Sequence, residues 1–253
     1  MPLIRKYDHL FFDLDNTLWD FDVNARLALE QAVTTLHVKD QVEDVDSFYA
    51  FYEQTNSNLW EAYRKGEIRQ SELVRKRFGI TLDHFGISGV NPEVFNDRYL
   101  QLMPAYTRLV DGALETLSYL QSEGYHLHII TNGIREVQQY KVKNSGLAPY
   151  IEKIFASEDI NAPKPDSRIF RHALMNCHAK KSRSMMIGDT WETDILGAIR
   201  MGIDYIFFCK NGKIPPHPQK NEIKQPENIN VLSIPPANNT RVIKEITDLK
   251  HIL

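Results

Sequence analysis

The sequence predicts an α/β protein: a doubly wound parallel sheet into which an α-helical domain is inserted. Three observations predict it. Short runs such as Leu10-Phe11-Phe12 and Tyr205-Ile206-Phe207-Phe208 are apolar at consecutive positions, the pattern of strands buried on both faces. Stretches with helical periodicity separate these runs, as in a parallel sheet covered on both sides. Between Asp22 and about Met103 the alternation stops, and apolar residues recur only at helical spacing.

Taken in order, Tyr7 to Phe12 reads as the first strand. The helical segment follows, with apolar positions at Ala28, Val33, Leu36, Phe48, Phe51, Tyr52, Leu59 and Tyr63. Asp22 and Ser47 are candidate N-caps within it. Gly66, Gly79 and the Gly86–Gly89 region read as breaks between helices. From Asp111 the rhythm changes. Ala113 to Ser122 predicts a helix that Gly124 ends, and Tyr125 to Ile130 a strand. A helix from Ile134 to Asn144 stops at Gly146, and Ile154 to Ala156 is a short strand. Ser167 to Cys177 predicts a helix, Ser184 to Ile187 a strand, Asp194 to Met201 a helix and Tyr205 to Phe208 a strand. Lys210 to Asn239, rich in Pro, Asn and Lys, reads as an extended loop, and Arg241 to Leu253 as a last short strand and helix. The α/β core domain is therefore expected over residues 1–20 and 106–253, with the helical domain at 21–105.

Composition narrows the function. A chain of 253 residues with 42% hydrophobic and 25% charged residues is ordinary for a soluble globular protein. Its net charge of −3 leaves no basic excess to neutralise a phosphate backbone, so polymeric nucleic acid is not the expected partner. A small phosphorylated ligand, needing only a local charge arrangement, stays open. No apolar stretch approaches the ~20 residues that cross a bilayer, and MPLIRKYDHLFF has too short an apolar segment for a secretory signal. Cys177 and Cys209 are expected to be reduced and buried, in a cytoplasmic protein.

The segment FFDLDNTLWDFD, Phe11 to Asp22, ends an apolar strand in four acids. In open α/β sheets ligands bind beyond the carboxyl ends of the strands. The other strands also end in polar residues: Thr131-Asn132-Gly133, then Ala162-Pro163-Lys164-Pro165, then Gly188-Asp189-Thr190-Trp191-Glu192-Thr193-Asp194. Asp13, Asp15, Asp189 and Asp194 cannot share one site uncompensated, because like charges a few ångströms apart oppose each other's ionisation. A divalent cation removes the conflict, and hard oxygen ligands with room for a phosphate suit Mg²⁺.

Asp-x-Asp-x-Thr, Thr-Asn-Gly, Lys-Pro and Gly-Asp-x-x-x-x-Asp, in this order from Asp13 to Asp194, resemble the four motifs of the haloacid dehalogenase (HAD) superfamily. The resemblance implies a Rossmann-like HAD core in which Asp13 is the nucleophile and Asp15 the general acid and base. Thr131 donates to a phosphoryl oxygen, and Lys164 stabilises charge on Asp13 and on the phosphoryl group. It assigns Mg²⁺ to the carboxylates of Asp13 and Asp189 and to the main-chain carbonyl of Asp15, with Asp194 in or near the outer coordination sphere. Presence of an acid at Asp15 favours phosphate ester hydrolysis over dehalogenation. The helical insert matches the place of a C1-type cap, which closes over the site.

Leu59-Trp60, Gly66-Glu67-Ile68 and Gly188 to Asp194 further resemble the bacterial noncanonical pyrimidine 5′-nucleotidase branch. The expected partner is then a small phosphorylated metabolite, a nucleoside monophosphate. A sugar-phosphate or phosphoglycolate phosphatase, a phospho-accepting module without turnover, and a mutase are the alternatives. Asn132 and Gly133 either contact substrate or shape the turn. Trp19 and Phe21 either stack on a base or ribose, or pack the chain as it enters the cap; Asn58, Tyr63, Arg64 and Lys65 are further cap candidates. Asp20 and Asp22 read as solvated or capping residues, and His126 and His128 carry no assigned role.

Overall fold

The computed structural model describes residues 6–210 and 241–253. The predicted loop after Lys210 lies outside the described residues. Two units separate by their internal contacts: Met1–Asp20 with Arg108–Leu253, and Phe21–Thr107.

The first unit holds a six-stranded sheet. Its strands are β1 (His9–Phe12), β2 (His126–Thr131), β3 (Lys153–Ala156), β4 (Ser184–Gly188), β5 (Asp204–Phe208) and β6 (Arg241–Ile243). Their spatial order is β3-β2-β1-β4-β5-β6, with every neighbouring pair parallel. The fold is thus a Rossmann-like α/β sheet. The chain builds outward from β1 to one side, then returns to β4 on the other. β1 and β4 therefore flank the point where strand order reverses, where such sheets open a crevice beyond their carboxyl ends. Phe11, Ile130, Phe155 and Met186 from the sheet pack with Ile169, Phe170, Ala173, Leu174, Ala198 and Met201 in one apolar cluster.

Four helices make up the second unit: α1 (Phe21–Thr35), α2 (Val45–Arg64), α3 (Gln70–His84) and α4 (Pro92–Leu102). The first unit adds α5 (Ala113–Ser122), α6 (Arg135–Asn144), α7 (Ser167–Asn176), α8 (Leu196–Met201) and α9 (Leu249–Ile252). The helical unit has an aromatic centre. Phe78 stacks on Phe95 at 4.2 Å between ring centroids and on Tyr52 at 4.7 Å, and meets Tyr99 edge-on. Buried Arg77 gives Nε and Nη2 to Asn96 Oδ1, so its charge enters this core hydrogen-bonded.

Several local expectations change. Gly79 lies inside α3, where the apolar face outweighs one glycine's helix penalty. Asp44, not Ser47, caps α2: its carboxylate accepts from the N–H groups of Asp46 and Ser47, and the Ser47 hydroxyl donates to it. Asp22 sits within the first turn of α1 rather than ahead of it. The helix expected from Asp194 starts earlier, as a single π-helical turn over Trp191–Ile195 leading into α8. Cys209 is buried, but Cys177 is only half-buried.

Candidate active site

The site grows from the carboxyl ends of β1, β2 and β4. The Asp13 N–H donates to the Ile187 carbonyl at 2.9 Å, so β1 stays paired to β4 one residue past its last strand residue. That fixes Asp13 at the lip of the sheet beside Asp189, which follows β4 directly. Past Asp13 the chain turns tightly. Asn16 has φ +61°, its N–H donates to the Trp19 carbonyl at 2.7 Å, and Trp19 N–H returns to the Leu14 carbonyl. Asp15 is held at the start of this turn.

Lys164 is the centre of charge. Its side chain is 2% exposed, and its ammonium reaches Asp13 Oδ1 at 2.5 Å, Asp194 Oδ1 at 2.7 Å and the Ile130 carbonyl at 2.8 Å. An ammonium has three protons and no acceptor, so these three partners use all of them. Burial opposes its charge, yet Asp13 and Asp194 outweigh that and hold the ammonium well above its ordinary pKa. Asp13 is pushed up to about 7, by burial first, with Asp194 and Asp15 adding to the rise and Lys164 opposing it. Burial, then Asp13 and Asp194, raises Asp189 well above the ordinary carboxylate range.

Asp13, Asp189 and Asp194 each offer a carboxylate oxygen within 4.8 Å of the others. Three carboxylates against one lysine leave an excess of two negative charges when all are ionised. A divalent cation offsets that excess, and an all-oxygen donor set is what Mg²⁺ takes. The residues therefore fit the ion. Thr17 Oγ1 donates to Asp189 Oδ1 at 3.3 Å and steadies it. Asp194 already accepts from Lys164 at Oδ1 and from the Thr190 N–H at Oδ2. It reaches that position because residue 188 is glycine: a Cβ there would lie 2.3 Å from Asp194 Oδ2.

Thr131, the last residue of β2, accepts at Oγ1 from the Gly133 N–H at 3.0 Å and from Gln138 Nε2 at 2.7 Å. With both lone pairs taken, its own proton is left to donate. Gln138 fits against Gly133 only because that residue lacks a side chain; a Cβ would meet Gln138 Nε2 at 2.3 Å. Gln138 Nε2 also lies 2.9 Å from Asp15 Oδ2, and Lys141 Nζ lies 2.6 Å from Asp15 Oδ1. Both side chains come from α6, three residues apart on one helical face. The sequence reading missed them. The available signal was polar: Gln138 and Lys141 fall on the face of α6 that also carries Val142, where an amphipathic helix turns toward its core.

Three expected substrate contacts turn inward instead. Trp19 is 0% exposed with Lys141 Nζ 4.1 Å from its ring centre, so its faces are closed to a base. Asn132 accepts from the Lys164 N–H at Oδ1 (2.7 Å) and donates from Nδ2 to the Lys164 carbonyl (3.1 Å), clamping the lysine's main chain. The Gly133 N–H is directed at Thr131 rather than outward. Phe21 opens α1 and is half-buried. Asp20 is buried, not solvated, and pairs with Arg108 at 3.1 Å.

An aspartate at a strand end, a buried lysine against it, a threonine with a free proton and an acid pair beside β4 form one arrangement. The model of haloacid dehalogenase-like hydrolases matches residues 7–202 of the chain. The chain belongs to the haloacid dehalogenase-like hydrolases. This hydrolase is 32% identical over 203 residues to pyrimidine 5′-nucleotidase PynA of Streptococcus pneumoniae, covering 80% of this chain and 84% of that one. It is 31% identical over 199 residues to pyrimidine 5′-nucleotidase YjjG of Escherichia coli, covering 78% and 84%. Among solved structures, the magnesium-bound HAD-hydrolase YfnB of Bacillus subtilis superposes with a TM-score of 0.81 at 27% identity, covering 98% of this chain and 99% of that one. Among the described residues no helix is long and apolar enough to cross a membrane.

Proposed function

We propose that this hydrolase is a phosphoric monoester hydrolase whose substrates are nucleoside 5′-monophosphates, pyrimidine nucleotides foremost. One observation carries the chemistry: Asp13 is gripped through Oδ1 by a buried lysine, with a second acid, Asp15, two residues along the same loop. Similarity to PynA and YjjG supports the nucleotide as substrate.

Asp13 presents its second oxygen, Oδ2, to phosphorus. The Oδ2–P bond forms as the ester P–O bond breaks, and Asp15 gives its proton to the departing oxygen. Asp15, now a carboxylate, takes a proton from water as that water's oxygen attacks phosphorus. The Asp13–phosphorus bond breaks, inorganic phosphate leaves, and both aspartates return to their starting forms. Thr131 gives its free proton to a phosphoryl oxygen. Lys164, whose three protons are already placed, acts through its charge and by fixing Asp13. Asp13 and Asp189, with Asp194 beside them, would hold Mg²⁺, which would supply positive charge for the phosphoryl oxygens. We assign the helical unit Phe21–Thr107 the role of a substrate-selecting cap, and the enzyme to the cytoplasm, which its free thiols Cys177 and Cys209 suit.

The test is a panel of phosphate esters with purified enzyme and Mg²⁺. UMP, dUMP and dTMP are expected to be turned over with higher kcat/KM than hexose and triose phosphates and phosphoglycolate. A preference for the sugar phosphates or phosphoglycolate overturns the nucleotidase reading.

A further inference from the structure

We propose that Lys141 is a positioning residue for proton transfer: it fixes the carboxyl group of Asp15 for the leaving oxygen of the ester. The proposal rests on the phosphatase reading above and deepens it.

Lys141 is 2% exposed and its Nζ lies 2.6 Å from Asp15 Oδ1, whose side chain is 28% exposed. A lysine is rarely buried, because its charge must be withdrawn from water. Here the ammonium lies against the electron-rich face of Trp19, 4.1 Å from the ring centre. The ring itself is wholly buried, so this support does not move with solvent. At the root of the side chain, the Lys141 carbonyl accepts from both the N–H and the hydroxyl of Ser145. Tip and root are both tied down.

Across the carboxyl group, Gln138 Nε2 holds the other oxygen, Oδ2, at 2.9 Å. Two donors from one helical face thus grip both oxygens of Asp15 and stop rotation about its Cβ–Cγ bond. Gln138 Nε2 also reaches Thr131 Oγ1 at 2.7 Å, so α6 sets the proton donor and the phosphoryl-binding hydroxyl in one register. Lysine has protons to give and no lone pair to receive one. A proton on Asp15 therefore cannot pass to Lys141 and stays available to the leaving oxygen. Once it has passed, the new carboxylate faces an ammonium already in place, the preorganised arrangement that favours the transition state.

A group that helps the leaving oxygen matters most when that oxygen leaves poorly. An alkyl ester such as a nucleoside 5′-monophosphate needs its oxygen protonated, whereas p-nitrophenolate leaves unaided. The parameter kcat/KM reports the steps up to the first irreversible one, departure of the leaving group, and so isolates this role from the later attack of water.

The experiment compares kcat/KM for UMP and for p-nitrophenyl phosphate in wild type, Lys141→Met and the more conservative Lys141→Gln, with thermal melts to confirm folding. General acid catalysis is typically worth about 10²–10⁴ in rate. Either folded variant is expected to lose about a hundredfold or more on UMP and less than about tenfold on p-nitrophenyl phosphate. In an Asp15→Asn background, Lys141→Met is expected to add no further loss on UMP. Equal losses on both esters in a folded variant, or a full additional loss in the Asp15→Asn background, overturn the proposal. If wild type turns over neither ester, the phosphatase reading itself fails, an outcome distinct from equal losses.

Discussion

Lys164 Nζ lies 2.5 Å from Asp13 Oδ1, and the same ammonium lies 2.7 Å from Asp194 Oδ1. One buried cation therefore joins β1 to the turn after β4 and sets the distance between two acids that would otherwise repel. The loop that delivers it is clamped by Asn132 from the end of β2. Three strand ends are thus tied through one side chain.

Removing that charge has two consequences. Lys164→Met leaves Asp13 and Asp194 facing each other with their shared partner gone, and breaking a buried pair in this way costs about 3–5 kcal/mol. It also removes a fixed positive charge from beside the proposed nucleophile, an effect expected on the order of 10²–10³ in kcat. Urea unfolding and steady-state kinetics measure the two losses separately. A stable variant with near-normal kcat would show that Lys164 is neither a structural nor an electrostatic centre.

The proposed nucleophile is tested by the smallest change available. Asp13→Asn keeps size and shape but removes the carboxylate proposed to attack phosphorus. Turnover is expected to vanish while the melting temperature stays equal to or above that of wild type, because one member of a crowded acid cluster has been neutralised. Substantial residual activity in a clean preparation would move the nucleophile elsewhere.

Magnesium should stabilise the fold as well as support activity. An ion that binds only the native state at a hundred times its dissociation constant adds about 2.7 kcal/mol. Mg²⁺ is therefore expected to raise the melting temperature of wild type, and EDTA to reverse the rise and abolish turnover. Asp189→Asn should lose most of the magnesium-dependent shift. A variant that keeps the full shift would exclude Asp189 as a ligand.

The sequence was most informative where chemistry and chain direction coincide. Asp13, Thr131, Lys164 and Asp189 each stand at or just after a strand end, or in a Pro-flanked loop, and a parallel sheet brings its carboxyl ends together. Knowing the strands was enough to gather these residues. Gln138 and Lys141 were harder to read, because a lysine on a helix is ordinarily solvated, and only the fold reveals that this one turns inward beneath Trp19. The same packing hid the fate of Trp19 itself. An aromatic after a catalytic loop reads equally as a stacking platform or as core, and only burial separates the two. Asn132 posed a similar problem. Its amide suits a ligand or a main chain equally well, and the neighbouring Lys164 peptide lies far away in sequence.

Gly188 tests how tightly the acid cluster is packed. A Cβ at this position would lie 2.3 Å from Asp194 Oδ2 and 2.5 Å from its Cγ, and Asp194 is itself buried. Gly188→Ala must push Asp194 away from Lys164 and from the Thr190 N–H. Overpacking of this kind typically costs about 1–3 kcal/mol. Misplacement near the chemistry by about 1 Å can cost on the order of a hundredfold in rate. Gly146, where a Cβ meets nothing within 4 Å, has a positive φ of 78° and serves as the comparison. Gly146→Ala should destabilise through backbone strain while leaving kcat unchanged. Equal kinetic effects at both glycines would show that Asp194's position is not what Gly188 protects.

Acid sensitivity should arise in part at the opposite ends of β1 and β2, away from the chemistry. His128 is buried within β2, with Nε2 3.1 Å from His9 Nδ1 and its ring against Phe11. Burial is the main cause that lowers its pKa from the ordinary 6.5 to about 4; His9 and His126 lower it further, and Glu152 opposes them. The sign follows from proton counting. Between pH 6.5 and about 4 the unfolded chain binds a proton at this residue and the folded chain does not, so stability falls as pH falls and the loss is complete below about 4. The shift corresponds to a loss on the order of 3 kcal/mol. His9, also lowered by burial, works in the same direction. Asp13 works in the other, since a raised carboxylate makes the folded state hold the extra proton. Only a difference between variants isolates the histidine. His128→Phe keeps an aromatic ring at the position and removes the titration. Chemical denaturation of wild type and variant from pH 7.5 to 4.5 is expected to give a shallower decline for the variant, by up to one proton per molecule. Parallel curves would mean that His128 is protonated alike in the folded and unfolded chains.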